Sequence, residues 1–194
     1  MQDIILRILS VLKQPRKFFA GLKKEKGIAV AFRYNAILLA VFTVLSLVLG
    51  GLFQPVTRSA LSSILNMPIP QPEMTLATLI VATIVGYVLS LALSFVSVGI
   101  LHLWILLWGG RQPYVKAYQL FAYAATPTLI VGWLPVVNLF TGVYSLVLYI
   151  IGTQEMYKLS KMKSILMYVI PVVLFFVIWF VVMLFVLTEV KTLS

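Results

Sequence analysis

Apolar positions fall into five long runs, separated by short breaks rich in glycine, proline or basic residues, and a shorter amphipathic run precedes them. In that first run Asp3, Arg7, Ser10 and Gln14 recur at helical spacing and share one face. Ile4, Ile5, Ile8, Leu9, Val11 and Leu12 cover the rest. The run is too short to cross a bilayer, which takes about 20 residues. Two placements fit it equally. One is a helix lying in the membrane interface with its polar face in water, and the other is a helix packed on the underside of a bundle. Pro15 ends this helix or opens the next element.

The long runs predict transmembrane helices at about residues 35–53, 78–108, 115–134, 136–153 and 165–187. Arg33 and Tyr34 mark the inner edge of the first. The segment Gln54–Glu73 holds Pro55, Pro68, Pro70 and Pro72 and reads as a loop, with a short surface helix over Arg58–Asn66. The uncharged stretch Thr75–Trp108 would make about 50 Å of helix, so the second span must tilt, protrude or begin late. Gly109 and Gly110 make a tight turn, and Gly132-Trp133-Leu134-Pro135 makes the opposite corner. Pro127 falls in mid-span and predicts a kink, with a carbonyl freed for some neighbour to satisfy.

Small residues recur at helical spacing in three spans. The second carries Thr83, Gly86, Ser90, Ser94 and Ser97, the third Ala117, Ala124, Thr128 and Gly132, and the fourth Gly142, Ser145 and Gly152. In lipid such faces let helix backbones approach closely, so these three spans are expected to pack together. The fifth span is bulky, with Phe175, Phe176, Trp179, Phe180 and Phe185, and is expected on the lipid-facing periphery.

Composition turns this pattern into a class. The chain has 62% hydrophobic and only 10% charged residues. A soluble domain carries about 25% charged residues. The reading is an all-α integral membrane protein, with an interfacial basic segment (residues 1–34) and a single five-helix domain (residues 35–194). The net charge of +10 is accounted for by topology. With the amino terminus in the cytoplasm and the carboxy terminus outside, only Arg58 and Lys191 of the 15 Lys and Arg residues lie outside. Nucleic-acid binding has no place in this account. Cysteine is absent, which removes disulfide and thiolate chemistry.

Candidate chemistry is sparse. Asp3, Glu25, Glu73, Glu155 and Glu189 lie at span ends or in loops, and His102 is the single histidine. A nucleophile needs a base within hydrogen-bond reach, so no catalytic residue, metal ligand or cofactor is expected. Ser90, Ser94, Ser97, His102, Tyr118, Gln119, Tyr123, Thr126, Pro127, Pro135 and Asn138 would line a polar cavity between spans two, three and four, or would only pack the helices. Arg16, Lys17, Phe18, Phe19, Lys23, Lys24 and Lys26 are candidates for contact with an anionic lipid surface, the phenylalanines dipping among the headgroups. For most of these cations the competing reading is that they only set orientation.

Gly109-Gly110, then Tyr114, Tyr118 and Tyr123-Ala124 before Pro127, then Pro135 and a Leu/Tyr-rich helix ending in Lys158–Lys163, resemble the Yip domain family. These are multi-pass membrane proteins that interact with Rab (Ypt) GTPases, with bacterial and archaeal relatives. The amino-terminal Gln14-Pro15-Arg16-Lys17-Phe18-Phe19 is similar to the prokaryotic branch. The resemblance implies five spans, a cytoplasmic amino terminus, and partner binding or membrane organisation without catalysis. The long polar amino-terminal region and the Asp-Leu-Tyr-Gly-Pro type motif of eukaryotic members are missing. That argues against a Rab partner and for the cell membrane of a bacterium or archaeon. The expected function is a membrane scaffold, as a homo-oligomer or with another membrane protein. The alternative is a transporter or channel for a small solute, ion or lipid.

Overall fold

In a computed structural model, which describes residues 2–65, 68 and 75–192, the chain is helical, with no strand among the described residues. The helices are α1 (Gln2–Lys13), α2 (Pro15–Gly21), α3 (Ala29–Leu65), α4 (Leu76–Leu107), α5 (Tyr114–Ala124), α6 (Thr126–Val131), α7 (Pro135–Tyr157) and α8 (Lys161–Thr192). A single 3-10 turn, Leu22–Lys24, joins α2 to the approach to α3. Among the described residues, four segments are long and apolar enough to cross a membrane: Ala29–Gly51, Leu76–Leu107, Pro135–Tyr157 and Lys161–Phe185.

The first and third predicted spans differ most from expectation. α3 begins before the predicted first span and does not stop at Gln54; it runs through Pro55 to Leu65 and absorbs most of the predicted surface helix. A proline's φ suits a helix, and the carbonyl that loses its donor and is crowded by the ring belongs to Gly51, four residues back. The rest of the predicted loop, residues 66–74, lies outside the described residues apart from Pro68. The third predicted span is divided at Ala125 into α5, of 11 residues, and α6, of 6.

That division is the expected kink in a sharper form. Pro127 cannot donate to the carbonyl of Tyr123. The Thr126 hydroxyl donates to that oxygen instead, at 2.6 Å. Since this uses its one hydrogen, the Tyr34 hydroxyl must be the donor in the 2.8 Å bond to Thr126. The broken helix is thus closed by its own side chain and by α3.

Burial is concentrated around α5. Ala117, Tyr118, Gln119, Leu120, Ala122, Tyr123 and Ala124 are all fully enclosed. α5 and α6 pack on α7, with Leu120 against Gly152, and Thr128 and Ser145 hydrogen-bonded at 3.0 Å. Gly152 and Ser145 thus serve the close approach expected of them, whereas Gly142 faces open space. α8 stands on the periphery, packed through Ser164, Met167 and Tyr168, with its bulky residues exposed.

The expected packing of the α4 stripe does not occur. Ser94 alone of its five positions is buried, while Gly86, Ser90 and Ser97 are exposed. α4 meets the bundle one rank to the side, through Tyr87, Ser94, Val98 and Ile105. The gap there is filled by aromatic rings, including Tyr118 and Phe32 against Phe95 at 5.1 and 5.6 Å. Rings of that size hold backbones apart, so of the small residues only Ser94 takes part in the contact, through its 3.1 Å hydrogen bond with Tyr118.

Candidate functional site

Lys116, Gln119 and Tyr123 fall at positions i, i+3 and i+7 of α5 and so form one face. That face binds the chain between α2 and α3. The Lys116 ammonium donates to the carbonyls of Leu22 and Glu25 and to Oε1 of Gln119. The Gln119 amide donates to the carbonyls of Glu25 and Gly27, at 3.2 and 3.0 Å. Gly27 has φ of 77°, the left-handed backbone that turns the chain into α3. Three ammonium hydrogens and the buried amide all find acceptors, which is what makes their enclosure tolerable.

Above this lies a charged triad. Arg7 Nη1 donates to Glu25 Oε2 at 2.6 Å and to the Tyr123 hydroxyl at 2.7 Å, and Tyr123 donates to Glu25 Oε1 at 3.0 Å. Phe18 and Tyr34 flank the Tyr123 ring, each with centroids 4.9 Å away. Burial lowers the pKa of Arg7, but the Glu25 hydrogen bond and the neighbouring charges outweigh it and leave the guanidinium above its ordinary value. Below, Lys23 is pulled down from its ordinary value, chiefly by the neighbouring Lys158 ammonium. Lys158 is itself a left-handed cap on α7.

The triad changes the reading of the amino-terminal segment. The polar face of α1 does not simply face water. Arg7 points inward, Val11 is fully buried, and the Leu12 carbonyl accepts from Tyr144 midway along α7 at 2.7 Å. Of the two placements of α1, packing on the bundle describes it, while Ile5, Leu6 and Leu9 stay exposed. Phe19 is likewise no headgroup contact. Its ring is fully enclosed between Leu120 and Gly152, a slot that exists because position 152 has no side chain. Phe18 is partly buried on Tyr123, and Arg16, Lys17, Lys23, Lys24 and Lys26 remain exposed. Arg16 pairs with Glu155 at 3.3 Å.

The helices α1, α2 and the start of α3 enclose a chamber of about 1010 Å³, lined by Asp3, Arg7, Lys17, Glu25, Arg33 and Tyr34 among polar residues and by Phe18, Val30 and Ile37 among apolar ones. A trough of about 390 Å³ lies between α3 and α4. Phe32 packs on Phe95, and Tyr87 donates to the carbonyl of Ala36 at 3.1 Å. The first turns of α3 therefore stand beside residues 87–95 of α4. That is near the middle of a helix of 32 residues, about 48 Å long.

The polar positions expected to line one cavity are dispersed. Tyr118, Gln119, Tyr123, Thr126 and Pro127 are buried together on α5 and α6. Tyr118 reaches Ser94 at 3.1 Å. Ser90 and Ser97 face outward, and Pro135 and Asn138 are exposed at the far end of α7. His102 packs edge-on to Tyr114 at 5.9 Å, and its buried Nδ1 has no hydrogen-bond partner among the described residues. None of these positions lines the chamber or the trough, both of which lie against α3. Among the described residues no group of His, Asp and Glu could hold a metal ion.

Arg7, Lys116 and Glu25 escaped the sequence reading because it gave Arg7 to the polar face of the first helix, Lys116 to the inner end of the third span and Glu25 to a span end or loop. The signal was available as a polar face, Lys116, Gln119, Tyr123 and Thr126, repeating at helical spacing in an apolar helix, and a single acid, Glu25, within a basic segment.

No curated protein and no solved structure matches the chain. The Yip1 domain matches residues 9–183, nearly the whole chain, from within α1 to within α8. The packed, kinked pair α5–α6 and its hairpin with α7 hold the residues on which the resemblance rests, and the chain belongs to the Yip1 domain family of multi-pass membrane proteins.

Proposed function

We propose that this protein is a non-catalytic membrane scaffold that binds a second copy of itself or another membrane protein within the bilayer. The observation that carries this reading is the outer face of α4. Gly86, Ser90 and Ser97 run along it uncovered, and a methyl group at Gly86 would meet nothing within 4 Å. A small-residue rank in lipid favours close helix contact, and of this one the chain itself covers only Ser94.

The reading includes five crossings, with the amino terminus cytoplasmic and the carboxy terminus outside. The antiparallel register of α5–α6 on α7 supports it, because the corner at Gly132–Leu134 then lies opposite the turn at Gly109–Gly110. From Tyr114 to Val131 the pair spans about 27 Å, close to a core of about 30 Å. The distribution of Lys and Arg agrees. The setting we favour is the cell membrane of a bacterium or archaeon, without a Rab partner.

A photo-crosslinking residue at Ser90, compared with one at the exposed Val88 on the opposite side of α4, tests the scaffold in native membranes. Adducts to a second copy or to one defined protein from position 90 alone are expected. Adducts to lipid only, at both positions, would overturn it. The transport reading has one observation in its favour, the charged chamber beside the middle of α4. A liposome flux assay decides it, with Arg7→Ala altering the flux if the chamber conducts.

A further inference from the structure

The chamber and the α3–α4 trough share a wall, the ridge formed by Arg33 and Ile37 one turn apart on α3. On one side the lining is charged. On the other, Ala29, Ala36 and Ala40 line the trough, with Phe32 and Tyr87 beside them. Arg7 and Glu25 neutralise each other. Arg33 and Lys17 are left without an acid within ion-pair distance among the described residues.

Position makes Arg33 costly. Arg33 stands beside residues 87–95 of α4, about 24 Å from either end of that helix. The outer surface of α4 is apolar on both sides of this level, with Val85, Val96, Ile100 and Leu103 exposed. A core of about 30 Å centred on α4 contains this level, so Arg33, which the sequence placed at the inner edge of the first span, lies within the bilayer. A cation at such a depth is expensive unless a counter-charge or water reaches it. Asp3 and Glu25 line the same chamber but neither is ion-paired with Arg33 or Lys17, and the chamber opens beside the exposed apolar residues Ile37, Val41 and Val44.

We propose that Arg33, with Lys17, holds the phosphate of an anionic glycerophospholipid, its head in the chamber and one acyl chain in the alanine trough. The cations supply the charge, and the trough, which small residues keep open, supplies the alkyl contact. Neither feature alone would select a lipid; side by side on one ridge they match a molecule with an anionic head and an apolar tail. This inference is independent of whether α4 binds a partner.

The test uses the full chain in nanodiscs of equimolar phosphatidylglycerol and phosphatidylcholine, followed by native mass spectrometry of the lipids retained on release. The wild-type chain is expected to retain phosphatidylglycerol preferentially. Arg33→Gln and Lys17→Gln should each reduce its retention about five-fold, the equivalent of about 1 kcal/mol per cation at a membrane surface. Ala36→Leu fills the trough and should lower retention with all charges in place. Arg58→Gln, far along α3, should change nothing. Equal retention of the two lipids by the wild-type chain would overturn the proposal, as would equal losses in Arg58→Gln and Arg33→Gln. Displacement of the lipid by glycerol phosphate, with Ala36→Leu silent, would assign the site to free phosphate and would also overturn it. Should Arg33→Gln fail to give a monodisperse protein, Lys17→Gln and Ala36→Leu decide.

Discussion

Arg7 on α1 and Glu25 ahead of α3 meet at 2.6 Å, and the hydroxyl of Tyr123 bridges them from α5. The side chains keep 31% and 13% of their exposure, so the pair is neither a surface contact nor fully enclosed. Its loss should therefore cost less than the roughly 3–5 kcal/mol of a broken buried pair. Arg7→Ala and Glu25→Ala should each destabilise by about 2 kcal/mol, and the double variant by less than their sum, with a coupling of about 1 kcal/mol or more. Denaturation in detergent measures this cycle. Additive losses would mean that the two groups do not act on each other.

The kink between α5 and α6 makes a second cycle. Thr126→Val removes the hydroxyl that satisfies the Tyr123 carbonyl and leaves the buried Tyr34 hydroxyl without its acceptor. A loss of about 1–3 kcal/mol is expected. Thr126→Ser should restore most of it. In a Pro127→Ala background a backbone N–H is available to that carbonyl again, so Thr126→Val should cost less there. The measurement is the same denaturation midpoint in the four variants, and an equal cost in both backgrounds would contradict the assignment.

Phe19 depends on an absent side chain. At Gly152 an added Cβ would press on Leu120 and stand 3.1 Å from the Phe19 ring. Leu120 can move its methyl, so Gly152→Ala should be mild. Gly152→Leu should expel the ring and destabilise by about 1–3 kcal/mol. Phe19→Ala should cost about 3 kcal/mol by itself and should relieve much of the Gly152→Leu penalty. Limited proteolysis of residues 13–28, compared across the variants, reads the release of α2 directly.

The long apolar runs made the bundle legible because span length and hydropathy follow from the bilayer alone. The kink at Pro127 and the peripheral α8 were legible for the same local reasons. The site was not. Arg7 and Glu25 are 18 residues apart, and the Tyr123 hydroxyl that joins their pair is 116 and 98 residues away from them. No local rule brings them together. Gly152 was read as one member of a small face, although its specific partner is the ring of Phe19. The α4 stripe misled in the opposite way, since small residues permit close packing without requiring it, and aromatic rings took the contact instead.

The central claim is that the amino-terminal helices are docked into the bundle, so that α1 is a part of the fold and not a float on the membrane surface. The hydrogen bond from Tyr144 to the Leu12 carbonyl, at 2.7 Å, reports on this most directly. Replacing Tyr144 with p-benzoylphenylalanine keeps an aromatic ring at that point of α7. Irradiation of native membranes, followed by peptide mapping, should give adducts within residues 9–15. Adducts to lipid alone, or to other helices with residues 9–15 untouched, would contradict the account.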